Sequence, residues 1–131
     1  MVRVKKITLK GRVFSGGGTG SFFVNLPWAK KQFNEKLGFN PYPGTLNLQL
    51  KSRTDTENLR RAEGIKIEPQ EGFHGGRCFK ALVMEKVWGA IVVPDVQGYP
   101  PDLLEILAPV NLRKALELED GMEVEVTVWL E

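Results

Sequence analysis

Short runs of alternating apolar and polar residues recur along the whole chain. Within residues 2–14 the pairs Val2/Val4 and Ile7/Leu9 alternate with polar neighbours. Met122-Glu123-Val124-Glu125-Val126-Thr127-Val128-Trp129-Leu130 follows the turn signal Asp120-Gly121 and is the clearest such run. A period of two sends successive side chains to opposite faces, so each run predicts a strand with one buried face. Thr45-Leu46-Asn47-Leu48-Gln49-Leu50 sets three leucines on one face and Thr45, Asn47 and Gln49 on the other. Residues 79–87, 90–93 and 103–107 read as further strands, the last set off by the breaker Tyr99-Pro100-Pro101. Ser21-Phe22-Phe23-Val24 reads as a short apolar strand.

Helical spacing shows at two places. Over residues 27–37, Ala29, Phe33 and Leu37 stand at i, i+4 and i+8, with Pro27 suited to a first turn and Gly38 to a stop. Over residues 110–118, Leu112, Ala115 and Leu116 share a face. Residues 51–76 are charged and glycine-containing and read as a weakly structured connection with short strand-like pieces such as Ile65-Lys66-Ile67. Many short strands with two short helices predict a mainly β fold, a small β-barrel in a single domain over residues 1–131.

Composition narrows the function. Eighteen basic against 16 acidic residues leave a formal charge of +2, too balanced to signal a nucleic-acid binder by field alone, while anionic small molecules stay open. Cys78 is the only cysteine and His74 the only histidine, which excludes an internal disulfide and a Cys/His zinc site. His74 reads as an exposed loop residue and Cys78 as a small buried one, neither with a catalytic partner. No apolar run nears the roughly 18 residues of a membrane span, and the first residues lack a signal-peptide core. These features predict a cytoplasmic protein with no membrane partner.

Candidate chemistry begins at Phe14-Ser15-Gly16-Gly17-Gly18-Thr19-Gly20-Ser21-Phe22. Such a glycine density suits either a mobile hairpin tip or a loop whose backbone approaches a ligand closely. The stretch lacks the Lys-Ser/Thr of a P-loop, and, read between two strands, it lacks the following helix of a dinucleotide site. A glycine-rich hairpin that covers phosphates with N–H groups remains open beside the ligand-free hairpin. Thr45 and Asn47, about 7 Å apart by Cα on one strand face, supply two neutral oxygens. Magnesium held by such oxygens draws its negative ligands from elsewhere, commonly nucleotide phosphates. The competing reading is a polar solvent face.

Taken in order, SGGGTGSFF, LGFNPYPGTLNLQL, AIVVP and LEILAPVNLRKALELEDGMEVEV resemble the archaeal-type CTP-dependent riboflavin kinases nearly end to end. PYPGTLNL and EILAPVNLR carry the most specific part of the likeness. The resemblance implies a cradle-loop β-barrel that moves the γ-phosphate of CTP to the ribityl 5′-hydroxyl of riboflavin, giving FMN and CDP. By position, Gly16, Gly17, Gly18, Thr19, Gly20, Ser21 and Phe22 would wrap the nucleotide, and Val110, Asn111, Leu112 and Arg113 would complete its site. Thr45 and Asn47 would bind one Mg2+ with the phosphates, and Glu105 would bind the flavin. Glu105 is also the candidate to orient or deprotonate the hydroxyl. Gln97 stands where the family tends to have a threonine as a second flavin contact.

The residues themselves agree with much of this. A helix start near Asn111 offers N–H groups to an anion, and Arg113 adds a fixed positive charge. Glu105 is different, because alternation in Leu103-Leu104-Glu105-Ile106-Leu107 is poor and pattern alone leaves its carboxylate in water. The alternative function is non-enzymatic: swapped-hairpin barrels of related architecture bind DNA, and Lys5, Lys6, Lys10, Arg60 and Arg61 offer a basic surface. The near balance of charge counts against it, so no nucleic-acid partner is expected.

Overall fold

The strongest alternation in the sequence becomes the strand β7 (Glu123–Trp129), whose Val124, Val126 and Val128 are fully buried. It pairs antiparallel with β1 (Lys6–Val13) over Lys6↔Trp129 to Arg12↔Glu123. From β1 the sheet continues through β2 (Leu46–Leu50), β6 (Leu103–Leu107), β5 (Val87–Pro94) and β4 (Gly76–Val83), with a short edge strand β3 (Ile65–Ile67) beyond β4. Pairing of Ala81–Val83 with β7 closes β4, β5, β6, β2, β1 and β7 into an antiparallel barrel. The computed structural model describes residues 5–16 and 19–130, with the side chains of Thr19, Arg53 and Thr56 set aside. The expected start of β1 at Val2/Val4 lies outside them.

Two apolar layers result. The barrel interior takes Leu9, Leu48, Phe79, Ile91, Ile106 and Val126 from every strand of the barrel. A second cluster lies on the outer face, where Cys78, Ala90, Val92 and Leu107 are covered by Phe23, Val24, Ala29 and Phe33. Burial of this kind contributes about 25 cal/mol per Å² of apolar surface, so covering an outward sheet face is favourable wherever its residues are apolar. The covering residues come from α1 (Thr19–Val24) and α2 (Pro27–Leu37). The α2 boundaries follow the sequence signals, with Pro27 in the first turn and Gly38 at φ 82° donating its N–H to the Asn34 carbonyl.

Four expectations are corrected. Ser21-Phe22-Phe23-Val24 is helical, so the glycine cluster joins a strand to a helix. Phe23 and Val24 are buried against the outer sheet face while Phe22 stays 67% exposed, and this packing overrides the β-preference of the four residues. Residues 51–76 are ordered around α3 (Arg53–Arg61), whose Ser52 hydroxyl accepts the Asp55 N–H, followed by β3. The run 79–87 is broken by a turn at Met84-Glu85, where both residues have φ near 55° without glycine or asparagine to announce it. Helix α4 (Leu112–Ala115) is far shorter than residues 110–118, so the described residues hold four helices where two were expected.

Candidate active site at the glycine loop

Strand parity explains the site. Leu104 and Ile106 point into the barrel, so Glu105 and Leu107 face outward, and Glu105 stands opposite Asn47 across the β2–β6 pairing. On a bare barrel both polar side chains would meet water. Here α1 and the end of the glycine loop lie over them, leaving Glu105 0% and Asn47 8% exposed. The water-facing reading of Glu105 therefore fails because a covering element, invisible in the local alternation, occupies its face.

The cover is hydrogen-bonded to what lies beneath. Gly20 donates its N–H to Glu105 Oε2 at 2.8 Å, and Asn47 Nδ2 donates to the Gly16 carbonyl at 2.6 Å. Tyr99 Oη donates to the same Glu105 Oε2 at 2.6 Å. Thr45 Oγ1 donates to Asn47 Oδ1 at 2.9 Å, so these two oxygens lie side by side. Burial raises the Glu105 carboxyl above the ordinary glutamate range, opposed by Tyr99, Gly20 and the nearby Thr45 hydroxyl. Glu105 Oε1 is buried without a partner in hydrogen-bonding geometry among the described residues, with the Thr45 hydroxyl near enough to act on the carboxyl. Burial, and then the Glu105 charge, push the Tyr99 hydroxyl upward, so it remains a donor.

A cleft of about 640 Å³ opens beside these groups, lined by Gly16, Ser21, Phe22, Gly44, Thr45 and Asn47 among others. Through Gly44 and Thr45 it adjoins a recess of about 110 Å³ bounded by Val110, Asn111, Leu112 and Arg113. The two segments expected to hold one ligand thus line neighbouring recesses that share Gly44 and Thr45. Metal ligation here would fall to the Thr45 and Asn47 oxygens, since no cluster of three or more His, Cys, Asp or Glu occurs among the described residues.

The sequence agrees with known proteins. The sequence model of the CTP-dependent riboflavin kinase family, described as a domain of unknown function, DUF120, matches residues 13–128. The chain belongs to this family. A riboflavin kinase of Methanosarcina barkeri is 44% identical over 92% of the chain and 56% of its own length. That of Archaeoglobus fulgidus is 44% identical over 95% of the chain and 55% of its length. A riboflavin kinase of Sulfolobus acidocaldarius is 40% identical over 95% of the chain and 82% of its length. The chain spans about half the length of the first two relatives.

Against the site that the riboflavin kinase family implies, the structure brings together Gly16, Gly20, Ser21, Phe22, Thr45, Asn47 and Glu105, and sets 110–113 beside them. Gly17, Gly18 and the Thr19 side chain lie outside the described residues. Gln97 is exposed on the turn before Tyr99 and lines neither recess. Arg113 is not a free charge: its Nη2 donates to Asp120 Oδ1 at 2.6 Å and to Ser15 Oγ at 3.2 Å, while Ser15 Oγ donates to Asp120 at 2.9 Å. Arg113 and Ser15 hold the Asp120 carboxyl below its usual range. Asn111 caps its own short helix by accepting the Lys114 N–H, and its Nδ2 donates to Tyr42 Oη, so that N–H is not open to an anion. Tyr99, Tyr42, Ser15 and Asp120 escaped the sequence reading. Each acts through a contact across 6 to 105 positions, and only the closeness of Tyr99 to Glu105 gave a signal.

Proposed function

We propose that this chain phosphorylates riboflavin to FMN, taking the γ-phosphate of CTP in the presence of magnesium. One observation supports this best: the Glu105 carboxylate accepts from the Gly20 N–H and the Asn47 amide nitrogen donates to the Gly16 carbonyl, which sets the glycine loop over both residues beside a cleft that adjoins 110–113. Phosphoryl transfer depends on alignment and charge neutralisation more than on an unusual nucleophile, and a site of backbone N–H groups, neutral oxygens and one buried carboxylate suits that demand.

The oxygen pair fits magnesium. An octahedral ion with bonds of about 2.0–2.1 Å sets neighbouring ligands about 2.9 Å apart. Thr45 Oγ1 and Asn47 Oδ1 are 2.9 Å apart, with the Thr45 hydroxyl free to turn its proton away when both oxygens ligate. Both are neutral, so the remaining charge would come from phosphate. When bound, the ion would neutralise phosphate charge. The chain's own residues would do the rest: Gly16 brings backbone to the cleft, Asn47 holds the loop by the Gly16 carbonyl, and Glu105, held by the Gly20 N–H beneath the loop, would supply the carboxylate for the acceptor.

The test is FMN formation from riboflavin with CTP or ATP, with and without magnesium. Rapid turnover with CTP and far less with ATP is expected, because a pocket built for a pyrimidine leaves its base-reading groups unpaired against a purine. Equal rates with both nucleotides would overturn the choice of donor. No FMN with either would overturn the activity.

A further inference from the structure

We infer that Tyr99 is a positioning residue for Glu105: by sharing Oε2 with the Gly20 N–H, it fixes the carboxylate and leaves Oε1 as the oxygen free to receive a donor of the phosphate acceptor. This rests on the function proposed above and assigns a task to a residue outside the sequence-derived site.

The geometry is specific. Two donors approach the same oxygen from different elements, Gly20 N in α1 at 2.8 Å and Tyr99 Oη in the β5–β6 connection at 2.6 Å. A carboxylate anchored at one oxygen by two donors cannot rotate about its terminal bond without breaking both. Oε1 is therefore fixed in direction, and it is buried without a partner. A buried acceptor left unpaired by the protein is suited to a donor that arrives with a ligand. Riboflavin carries such donors, a ring N–H and the ribityl hydroxyls.

The backbone that carries Tyr99 is itself held. Arg60 Nη2, from α3, donates to the Tyr99 carbonyl at 3.3 Å. Arg77 Nη1 donates in turn to the Arg60 and Ala62 carbonyls at 3.2 and 2.6 Å, tying the end of α3 to β4. Pro100 and Pro101 restrict the backbone immediately after the tyrosine. The segment once read as loose connection thus buttresses the group that orients Glu105. Since Gly20 belongs to the glycine-loop side, the shared oxygen also joins the acceptor side to the nucleotide side.

The experiment compares parent, Tyr99→Phe, Glu105→Gln and the double variant. Tyr99→Phe keeps the ring and removes one hydroxyl. Riboflavin affinity, read from flavin fluorescence, should fall about tenfold in Tyr99→Phe, and the riboflavin KM should rise while the CTP KM stays at the parent value. In the Glu105→Gln background the same change should cost less than about twofold, because a residue acting through Glu105 loses its effect when the carboxylate is gone. Unchanged riboflavin affinity in Tyr99→Phe, or equal losses in both backgrounds, would overturn the inference. A substrate-free arm follows the Gly20 amide resonance in the unliganded protein, which should move in Tyr99→Phe as the shared oxygen loses its second donor. An unmoved resonance would overturn the inference. If the parent fails to bind riboflavin while the resonance moves, the proposed function falls and the shared oxygen stands.

Discussion

Gly20→Ala sets two ordinary effects against each other and so has a decisive sign. Gly20 lies in the helix α1, where alanine would normally gain up to about 1 kcal/mol in propensity. A Cβ at this position, however, would stand 2.6 Å from Glu105 Cδ and 3.0 Å from Oε1, closer than real Cβ contacts allow. Glu105 is fully buried and its Oε2 is held by Tyr99 as well as by Gly20, so it can yield only by surrendering those bonds. Each bond to a charged group is worth about 1.5–3 kcal/mol, which against the propensity gain leaves a net loss of about 2–5 kcal/mol. For 131 residues, with an unfolding entropy of about 2.1 cal/mol/K per residue, that loss lowers Tm by about 7–18 °C. The assay is a circular-dichroism melt, run also in a Glu105→Ala background, where the methyl finds space and the same change should be neutral or mildly stabilising. A raised or unchanged Tm in the parent background would refute the reasoning.

Thr45→Val with Asn47→Leu should abolish the magnesium response of FMN formation and lower the rate at least tenfold, whereas Thr45→Ser, which keeps the oxygen, should retain both; a metal titration of the rate decides. Asp120→Asn should release Arg113 and raise CTP affinity a few-fold at low ionic strength, with the gain fading in high salt, as calorimetric titration would read. Burial pushes the Cys78 thiol up to about 12 from 9.0, so the native protein should resist a thiol-specific disulfide reagent at pH 8 and react fully once denatured. A thiol pKa raised in the folded state means the unfolded chain ionises first. The stability held below pH 9 should therefore decline toward pH 12, by up to about 1.4 kcal/mol per pH unit, and Cys78→Ala should flatten that slope in urea melts.

What could be read in advance follows from how local each signal is. β7, β2 and α2 were legible because one face of each is buried throughout and their ends carry Asp120-Gly121, Pro43-Gly44 and Pro27 with Gly38. α1 was not, since Phe23 and Val24 become helical only through burial on the outer face of the sheet. α3 buries only Leu59 in its described core contacts, too thin a stripe to announce a helix in a charged segment. The Met84-Glu85 turn adopts positive φ without the residues that favour it. At the site, residue types and spacing suggested Thr45 and Asn47. The state of Glu105 depended on a helix crossing above it, and Tyr99 on a bond that no periodicity encodes.

The place of β7 in the sheet constrains how the protein can fold. β7 stands between β1 and β4 and closes the barrel along both of its edges. Until β7 docks, β1 and β4 keep open edges, and Leu9, Phe79 and Val83 lack the valines that complete their layer. Loop closure over almost the whole chain must then precede the reward of that burial. Closure of the barrel is thus a late, cooperative event, and until it happens the open strand edges are exposed to pairing with other chains.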